Sequence, residues 1–279
     1  MNELIHVTMA DPAGNRTAFV EEPMDRALYA PVGNILLQDE ALHAEQVGYI
    51  LADNAGVDGA MCMMGGEFCG NATRSFGYLI GQRMGKKPGE TVRVLVSGAS
   101  EILTVTMEED GANVSMPAPQ SVMPMDFALS SGKTVSYPVV ALEGISHVLI
   151  ERDAADEQIA ADVLRHMKEK TDVEAAGAIF IHRIVPAEEN AFDVDMTPVV
   201  WVRETDSTVW ESSCGSGSLA SGVWTTKDIS DADLVIRVHQ PGGILKIVLK
   251  KRGAEIKEAF LGGPVTLEPT VERAVSFTD

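Results

Sequence analysis

Residues 67–72 read EFCGNA and residues 212–217 read SSCGSG, so each half of the 279-residue chain holds one Cys-Gly turn. In both turns a small polar residue comes soon after the cysteine and opens a stretch with helical character. A duplicated unit of helices and strands, with one cysteine per copy, is the simplest explanation for such a matched pair. The two turns therefore predict an α+β fold made of two similar halves.

The hydrophobic pattern supports the same division. Apolar stretches rich in β-branched residues predict strands at 4–9, 17–20, 47–51, 91–97 and 101–107, and again at 134–142, 146–151, 177–182, 193–202, 234–239 and 244–250. Helical spacing predicts helices over 31–38, 71–84 and 156–170, with another just after Cys214.

Residues 116–126 contain three prolines and no clear period, which predicts a linker between the halves. We therefore expect an N-terminal lobe at 1–120 that carries Cys69 and a C-terminal lobe at 121–262 that carries Cys214. The remaining tail, 263–279, is expected to pack back on the N-terminal lobe.

Composition excludes several classes of partner. The net charge is −19 and the isoelectric point is near 4.6, so a phosphate backbone or an anionic membrane would be repelled. We expect no nucleic-acid partner and no membrane partner. The first residues lack a signal-peptide pattern and no stretch has the length of a membrane span, which favours a cytoplasmic protein. Three cysteines are too few for a disulfide framework.

Two cysteines placed in this way suit proton transfer at a carbon atom. Inversion of an amino acid without a cofactor needs a base on one face of the α-carbon and an acid on the other. Both groups must be of the same kind, because the reverse reaction exchanges their roles. A thiol titrates near ~8.5, and a helix N-terminus lowers that value. Cys69 and Cys214 are therefore the candidate catalytic pair, and the chemistry needs no cofactor.

The residues alone leave other interpretations of the cysteines open. Cys62 lies in the apolar run 60–64 and is expected to be a buried core thiol. Cys69 and Cys214 could be structural, or could form a redox disulfide, so the non-enzyme alternative is a thiol redox or binding protein. No metal site is expected, because no CxxC or HxxxH spacing accompanies the cysteines.

Several motifs in the same order resemble the diaminopimelate-epimerase superfamily over nearly the whole chain. CGNA at 69–72 and CGSG at 214–217 are similar to its two cysteine turns, and DPAGN at 11–15, AEQ at 44–46 and PGG at 241–243 resemble further elements. The resemblance implies two α/β lobes, each a curled sheet around a central helix. It also implies a cofactor-independent isomerase, a racemase or epimerase, with one cysteine from each lobe.

Within the superfamily the chain most resembles the histidine racemases of opine-metallophore biosynthesis. The shared stretches are EQVG at 45–48, EFCGNAT at 67–73, WE at 210–211 and VHQPGG at 238–243. This resemblance implies a free amino acid, histidine or another basic one, as the small-molecule partner. A homodimer is left open.

One departure from the superfamily bears on the substrate. Diaminopimelate epimerases carry a Glu-Arg pair before the second cysteine, and its arginine grips the distal carboxylate. Here Glu204 fits the acidic position, but Thr205 follows it. Loss of that arginine argues against a distal carboxylate on the substrate. Glu204, with Asp206, would suit a cationic side chain, and Glu204 is the candidate anchor of the amino side.

The resemblance also nominates the substrate contacts, which are Asn15, Gln46, Gly70, Asn71, Glu204, Gly215, Ser216 and Gly217. GISH at 144–147 keeps the histidine of a superfamily element, so His147 is expected near the site, whereas the turn with His239 is expected to be structural. The alternative activities are those of a diaminopimelate epimerase or a proline or hydroxyproline epimerase. Proline-type members usually carry histidine where this chain has Asn71.

Overall fold

A computed structural model describes residues 2–53 and 56–276 of the chain and divides it into two compact units. Unit 1 is built from the described residues of Met1–Val114 and Gly262–Asp279, and unit 2 is Ser115–Leu261. The two stretches of unit 1 are thus joined through the whole of unit 2.

The first stretch of unit 1 alternates antiparallel strand pairs with helical crossovers. Its elements are β1 Asn2–Asp11, β2 Thr17–Val20, a 3-10 turn Arg26–Leu28, α1 Tyr29–Gln38, β3 Gln46–Ile50, β4 Gly59–Met63, α2 Gly70–Arg83, β5 Thr91–Val96, β6 Leu103–Met107 and β7 Ala112–Met116. Strands β2 and β3 are parallel across α1, and β4 and β5 are parallel across α2. The pairs β1–β2, β3–β4 and β5–β6 are antiparallel.

Unit 2 repeats this series. Its elements are β8 Ser121–Ala128, β9 Thr134–Ala141, β10 Ser146–Glu151, α3 Glu157–Lys170, β11 Ala175–Glu188, β12 Ala191–Val202, β13 Ser207–Trp210, α4 Gly215–Thr225, β14 Asp233–Gln240, β15 Gly243–Arg252 and β16 Glu255–Gly262. Strands β10 and β11 are parallel across α3, and β12 and β14 are parallel across α4. The pairs β9–β10, β11–β12 and β14–β15 are antiparallel. The duplicated series confirms the mixed helix–strand class, and β13 is an addition in unit 2.

The chain returns to unit 1 at its end. Strands β17 (Thr266–Leu267) and β18 (Val271–Ser276) both pair antiparallel with β1. The β1–β18 ladder extends from the pair Asn2–Ser276 to the pair Val7–Val271. The predicted tail therefore contains strands.

Each unit has one buried helix, and small residues make its burial possible. In α2 a Cβ on Gly77 would lie 2.3 Å from Val105 Cγ2, and one on Gly81 would lie 2.3 Å from Met107 Sδ. Residues 215–222 of α4 read GSGSLASG and are all buried. The other two helices, α1 and α3, are amphipathic and pack on strands of their own unit. No helix among the described residues is long and apolar enough to cross a membrane.

The linker prediction for 116–126 is wrong over its second half. Strand β8 begins at Ser121 and pairs with β9 in an unbroken register, in which Pro124 faces Pro138. Proline is tolerated in a ladder where no N–H is needed. Only residues 117–120 lie outside the strands, and the unit boundary falls at Val114–Ser115.

Candidate functional site

Cys69 and Cys214 occupy the same position in their units, the N-cap of the buried helix. Their backbone angles are nearly identical, with φ and ψ of −126° and 111° at Cys69 and of −124° and 110° at Cys214. Each sulfur accepts a 3.4 Å hydrogen bond from the backbone N–H three residues later, of Ala72 and of Gly217. Each thiol therefore lies at the positive end of a helix dipole, which favours a thiolate.

A second pair of hydrogen bonds repeats the likeness. The hydroxyl group four residues after each cysteine donates to that cysteine's carbonyl oxygen at 2.7 Å, from Thr73 in unit 1 and from Ser218 in unit 2. These bonds fix the first turn of each helix, and with it the direction of the sulfur.

In unit 1, an asparagine in a left-handed conformation lies beside the first sulfur. Asn15 has a φ of 58°, is buried, and places Oδ1 3.9 Å from Cys69 Sγ. Gln46 Nε2 donates to that Oδ1 and, at 2.8 Å, to Thr17 Oγ1. The structure thus brings the predicted residues Asn15, Gln46 and Cys69 together.

Arg74 holds this arrangement from inside α2. Its guanidinium is fully buried and donates to the carbonyl oxygens of Gly263, of Pro264 at 3.0 Å and of Pro12 at 3.1 Å. Burial lowers the pKa of Arg74 to about 10. Because Pro12 belongs to the turn that carries Asn15, Arg74 joins α2 to that turn and to the returning chain.

In unit 2, Gln240 fixes the backbone of the second cysteine. Its Oε1 accepts a 2.7 Å hydrogen bond from the N–H of Cys214, and its Nε2 donates to Ser218 Oγ at 2.9 Å. Gln240 ends β14, immediately before the PGG turn. That turn was expected to be structural, and its glutamine contacts the thiol-bearing residue directly.

Neighbouring groups shift the pKa of the Cys214 thiol in opposite directions. Burial raises its pKa well above the ordinary value, and the Glu211 carboxylate raises it further by charge and by a hydrogen bond. The Ser216 hydroxyl, 3.6 Å from Sγ, and the Gly217 N–H act in the other direction. Cys214 is therefore a neutral thiol at neutral pH, and its ionisation needs a change in the surroundings of the sulfur that lowers this pKa.

The other nominated residues of the two turns lie in the first turns of the buried helices. Gly70 and Asn71 open α2, and Gly215, Ser216 and Gly217 open α4; all five are buried. Gly217 is pressed from two sides, because a Cβ there would lie 2.8 Å from Ile179 Cδ1 and 3.2 Å from Cys214 Sγ.

Within unit 2, Glu204 is the nominated residue that lies outside the turn of Cys214. It lies in the exposed turn of the β12–β13 hairpin, whose ladder extends from the pair Val202–Ser207 to the pair Val199–Trp210. The strand from Ser207 to Trp210 adds about 10 Å between that turn and the segment before Cys214. Asp206, in the same turn, accepts hydrogen bonds from Lys168 Nζ and from the Trp201 indole.

Three functional candidates were missed from the sequence: Arg74, Glu211 and Gln240. Arg74 could have been found as a charged residue on the apolar face of α2, and Glu211 as a carboxylate three residues before the cysteine. Cys62 lies, as expected, in the apolar core of unit 1. Among the residues that the structure describes, no group of three or more His, Cys, Asp or Glu side chains is arranged to hold a metal ion.

Comparisons with known proteins agree on one family. Residues 4–270 match the family model described as the histidine racemase CntK N-terminal domain. The chain is 26% identical to a histidine racemase of Staphylococcus aureus, over 96% of this chain and 97% of that protein. It is 30% identical to a histidine racemase of Fusobacterium nucleatum, over 92% of both.

A solved structure agrees with the fold. The crystal structure of a hydroxyproline epimerase from Agrobacterium vitis superimposes with a TM-score of 0.64 at 12% identity, and the match covers 98% of this chain and 93% of that one. At this identity the likeness concerns the fold alone.

Proposed function

Because the chain belongs to the histidine racemase family, it is an amino-acid racemase, and we propose that Cys69 and Cys214 are its acid–base pair. One thiolate removes the α-proton of a free amino acid, and the other thiol delivers a proton to the opposite face of the same carbon. In the reverse direction the two sulfurs exchange roles. The observation that carries this proposal is the nearly identical N-cap geometry of the two cysteines.

The substrate we propose is histidine, with other basic amino acids as the next candidates. The relatives that match nearly the whole chain are histidine racemases. A helix N-terminus attracts anions, so Gly70, Asn71 and the 215–217 amides remain our candidates for the α-carboxylate. The same N–H groups would stabilise the negative charge that develops at the carboxylate as the proton leaves. Asn15 and Gln46, beside Cys69, complete the predicted contacts.

For the substrate ammonium group, the surroundings of Cys214 favour Glu211 over the predicted Glu204. Glu211 interacts with the Cys214 thiol, whereas Glu204 is exposed in a hairpin turn. A carboxylate beside the thiol can form an ion pair with the ammonium group of the amino acid while the sulfur lies next to the α-carbon. A cytoplasmic location, a homodimer and a place in metallophore biosynthesis remain predictions from the sequence.

The test is exchange of the α-proton. Reduced protein, without added cofactor, would be incubated in heavy water with L-histidine, 2,4-diaminobutyrate, ornithine, lysine, arginine, proline, hydroxyproline and diaminopimelate. We expect histidine to lose its α-proton signal, and Cys69→Ser and Cys214→Ser each to abolish the loss. Cys62→Ala is the matched control and should keep the activity. Full activity in either of the two serine variants would exclude the two-thiol scheme.

A further inference from the structure

A buried histidine is connected to the second cysteine through a serine. His147 lies on β10, and its Nε2 is 2.9 Å from Ser216 Oγ. The same oxygen is 3.6 Å from Cys214 Sγ. All three side chains are more than nine-tenths buried, and all belong to unit 2. They form an unbroken series from the imidazole to the sulfur.

The imidazole is neutral, and its partners define where its proton lies. Burial lowers the pKa of His147 to about 3, so the ring carries a single N–H at neutral pH. Nδ1 is buried and has no hydrogen-bond partner among the described residues. A buried N–H without an acceptor is rarer than an acceptor without a donor. The proton is therefore assigned to Nε2, which donates to Ser216 Oγ.

With the proton on Nε2, each hydrogen bond of the series is donated in the direction from the histidine to the sulfur. Ser216 Oγ receives the Nε2–H bond, so its own O–H is available to donate to Cys214 Sγ. The sulfur then accepts from Ser216 and from the Gly217 N–H. With the opposite tautomer the Ser216 O–H would donate to His147 Nε2, and the hydroxyl would no longer be a donor to the sulfur.

The strand beside His147 is shaped to hold the ring in place. Gly177 of β11 is the ladder partner of His147, and a Cβ on Gly177 would lie 2.2 Å from Nδ1. The ring fills the space that a side chain at 177 would need, which fixes its orientation. No larger residue at 177 would allow the Nε2–Ser216 bond to keep its present geometry.

We propose that His147 and Ser216 are positioning residues that keep Cys214 a hydrogen-bond acceptor and favour its thiolate, a role that rests on the two-thiol reaction proposed above. Glu211 acts on the same sulfur in the opposite sense. From β14, Gln240 contacts Cys214 without a charge. From β11, Gly177 lies against the His147 ring and Ile179 lies close to Gly217, and neither residue carries a charge. Of the described residues, Glu211 is thus the charged group whose effect on the Cys214 pKa is opposed by the His147–Ser216–Cys214 series, which we call the relay.

The test measures the thiol itself and not the reaction. In a Cys62→Ala, Cys69→Ala background, Cys214 is the one remaining thiol, and its titration can be followed by the ultraviolet absorbance of the thiolate. Ser216→Ala removes the donor, and we expect the titration midpoint to rise by about one pKa unit or more. Ser216→Thr, which keeps the hydroxyl, should restore it. Ser221→Ala is the matched control, because Ser221 is a buried serine of the same helix whose hydroxyl donates to Met196 Sδ.

The histidine is tested by two further variants. His147→Gln keeps an N–H donor near the position of Nε2 and should stay close to the parent midpoint, whereas His147→Leu should raise it. An unchanged or lowered midpoint in Ser216→Ala would overturn the relay, even if both cysteine variants abolish exchange. A raised midpoint in a protein that exchanges no α-proton would support the relay and reject the proposed function.

Discussion

The side-chain oxygen of Gln240 accepts a 2.7 Å hydrogen bond from the backbone N–H of Cys214, across 26 residues of sequence. Gln240→Leu would break this bond and the bond to Ser218. We expect a loss of exchange activity of about tenfold to a hundredfold, since small displacements of a reacting group are costly. The free energy of unfolding should fall by only about 1–3 kcal/mol. Exchange kinetics measure the loss of activity, and urea unfolding measures the loss of stability. Gln158→Leu, on the surface of α3, is the control. Equal exchange kinetics in the two variants would contradict the prediction.

Glu211→Gln should lower the titration midpoint of the Cys214 thiol, because the carboxylate raises the pKa of that group. Histidine exchange should also fall by about tenfold or more, as expected when one member of a buried charged contact is removed. The midpoint is measured in the background that retains Cys214 alone. Glu204→Gln, the matched control in the exposed turn, should change neither quantity. If Glu204→Gln alone reduces exchange, the anchor of the amino side is Glu204 after all.

Gly217→Ala should reduce activity much more than stability. The new methyl group would lie 3.2 Å from the sulfur of Cys214 and 2.8 Å from the flexible end of Ile179. Rearrangement of Ile179 should limit the cost to about 1–3 kcal/mol, while the displaced sulfur reduces exchange by about tenfold or more. Gly222→Ala on the same helix is the control, because its nearest atom is 3.3 Å away and is a side-chain methyl of Ile247. Similar activities for the two alanine variants would show that the sulfur tolerates the methyl group.

Arg74→Met should destabilise unit 1, because three backbone carbonyl groups would lose their donor. Each unsatisfied buried acceptor costs about 1–3 kcal/mol. Arg74→Lys should not restore stability, since an ammonium group cannot reach the three acceptors in the geometry of a guanidinium fork. Thermal unfolding measures the effect, and Arg83→Met, at a half-exposed ion pair with Glu21, is the control. Full rescue by lysine would show that the charge alone is what matters.

The neutral state of His147 makes stability depend on pH. An unfolded histidine titrates near ~6.5, whereas the pKa of His147 in the folded chain is about 3. Between these two pH values the histidine binds a proton in the unfolded state but stays neutral in the folded state. The contribution of His147 to stability is therefore complete above pH ~6.5. Below that pH, the free energy of unfolding falls by about 1.4 kcal/mol for each pH unit.

Urea unfolding over that range would reveal this slope. His147→Gln should flatten it, and the exposed His43→Gln should leave it intact. An equally steep slope in His147→Gln would place the acid sensitivity at another group.

Local pattern predicted much of the fold, because strand alternation and helical spacing depend on neighbouring residues. Strands β2 and β10 begin and end where the pattern placed them, and both cysteine turns begin helices as expected. Strand β8 was missed because its proline suggested a linker, although the ladder tolerates it. Long-range contacts had no local signal: Arg74 reaches a carbonyl group 189 residues away. Glu204 has the spacing of the family position, but it lies in a hairpin turn, and the strand Ser207–Trp210 separates it from the segment before Cys214.

The pairing of β1 with β18 has a consequence for the order of folding on the ribosome. All of Ser115–Leu261 is synthesised before β17 and β18, which complete the sheet around the N-terminal residues. The buried guanidinium of Arg74 likewise gains two of its carbonyl acceptors only after Gly263 and Pro264 have been synthesised. Domains made of one continuous stretch can fold as soon as they emerge during synthesis. The half of the protein that is translated first is therefore finished last, and nascent chains released before residue 262 would carry a complete second thiol turn and an incomplete first one.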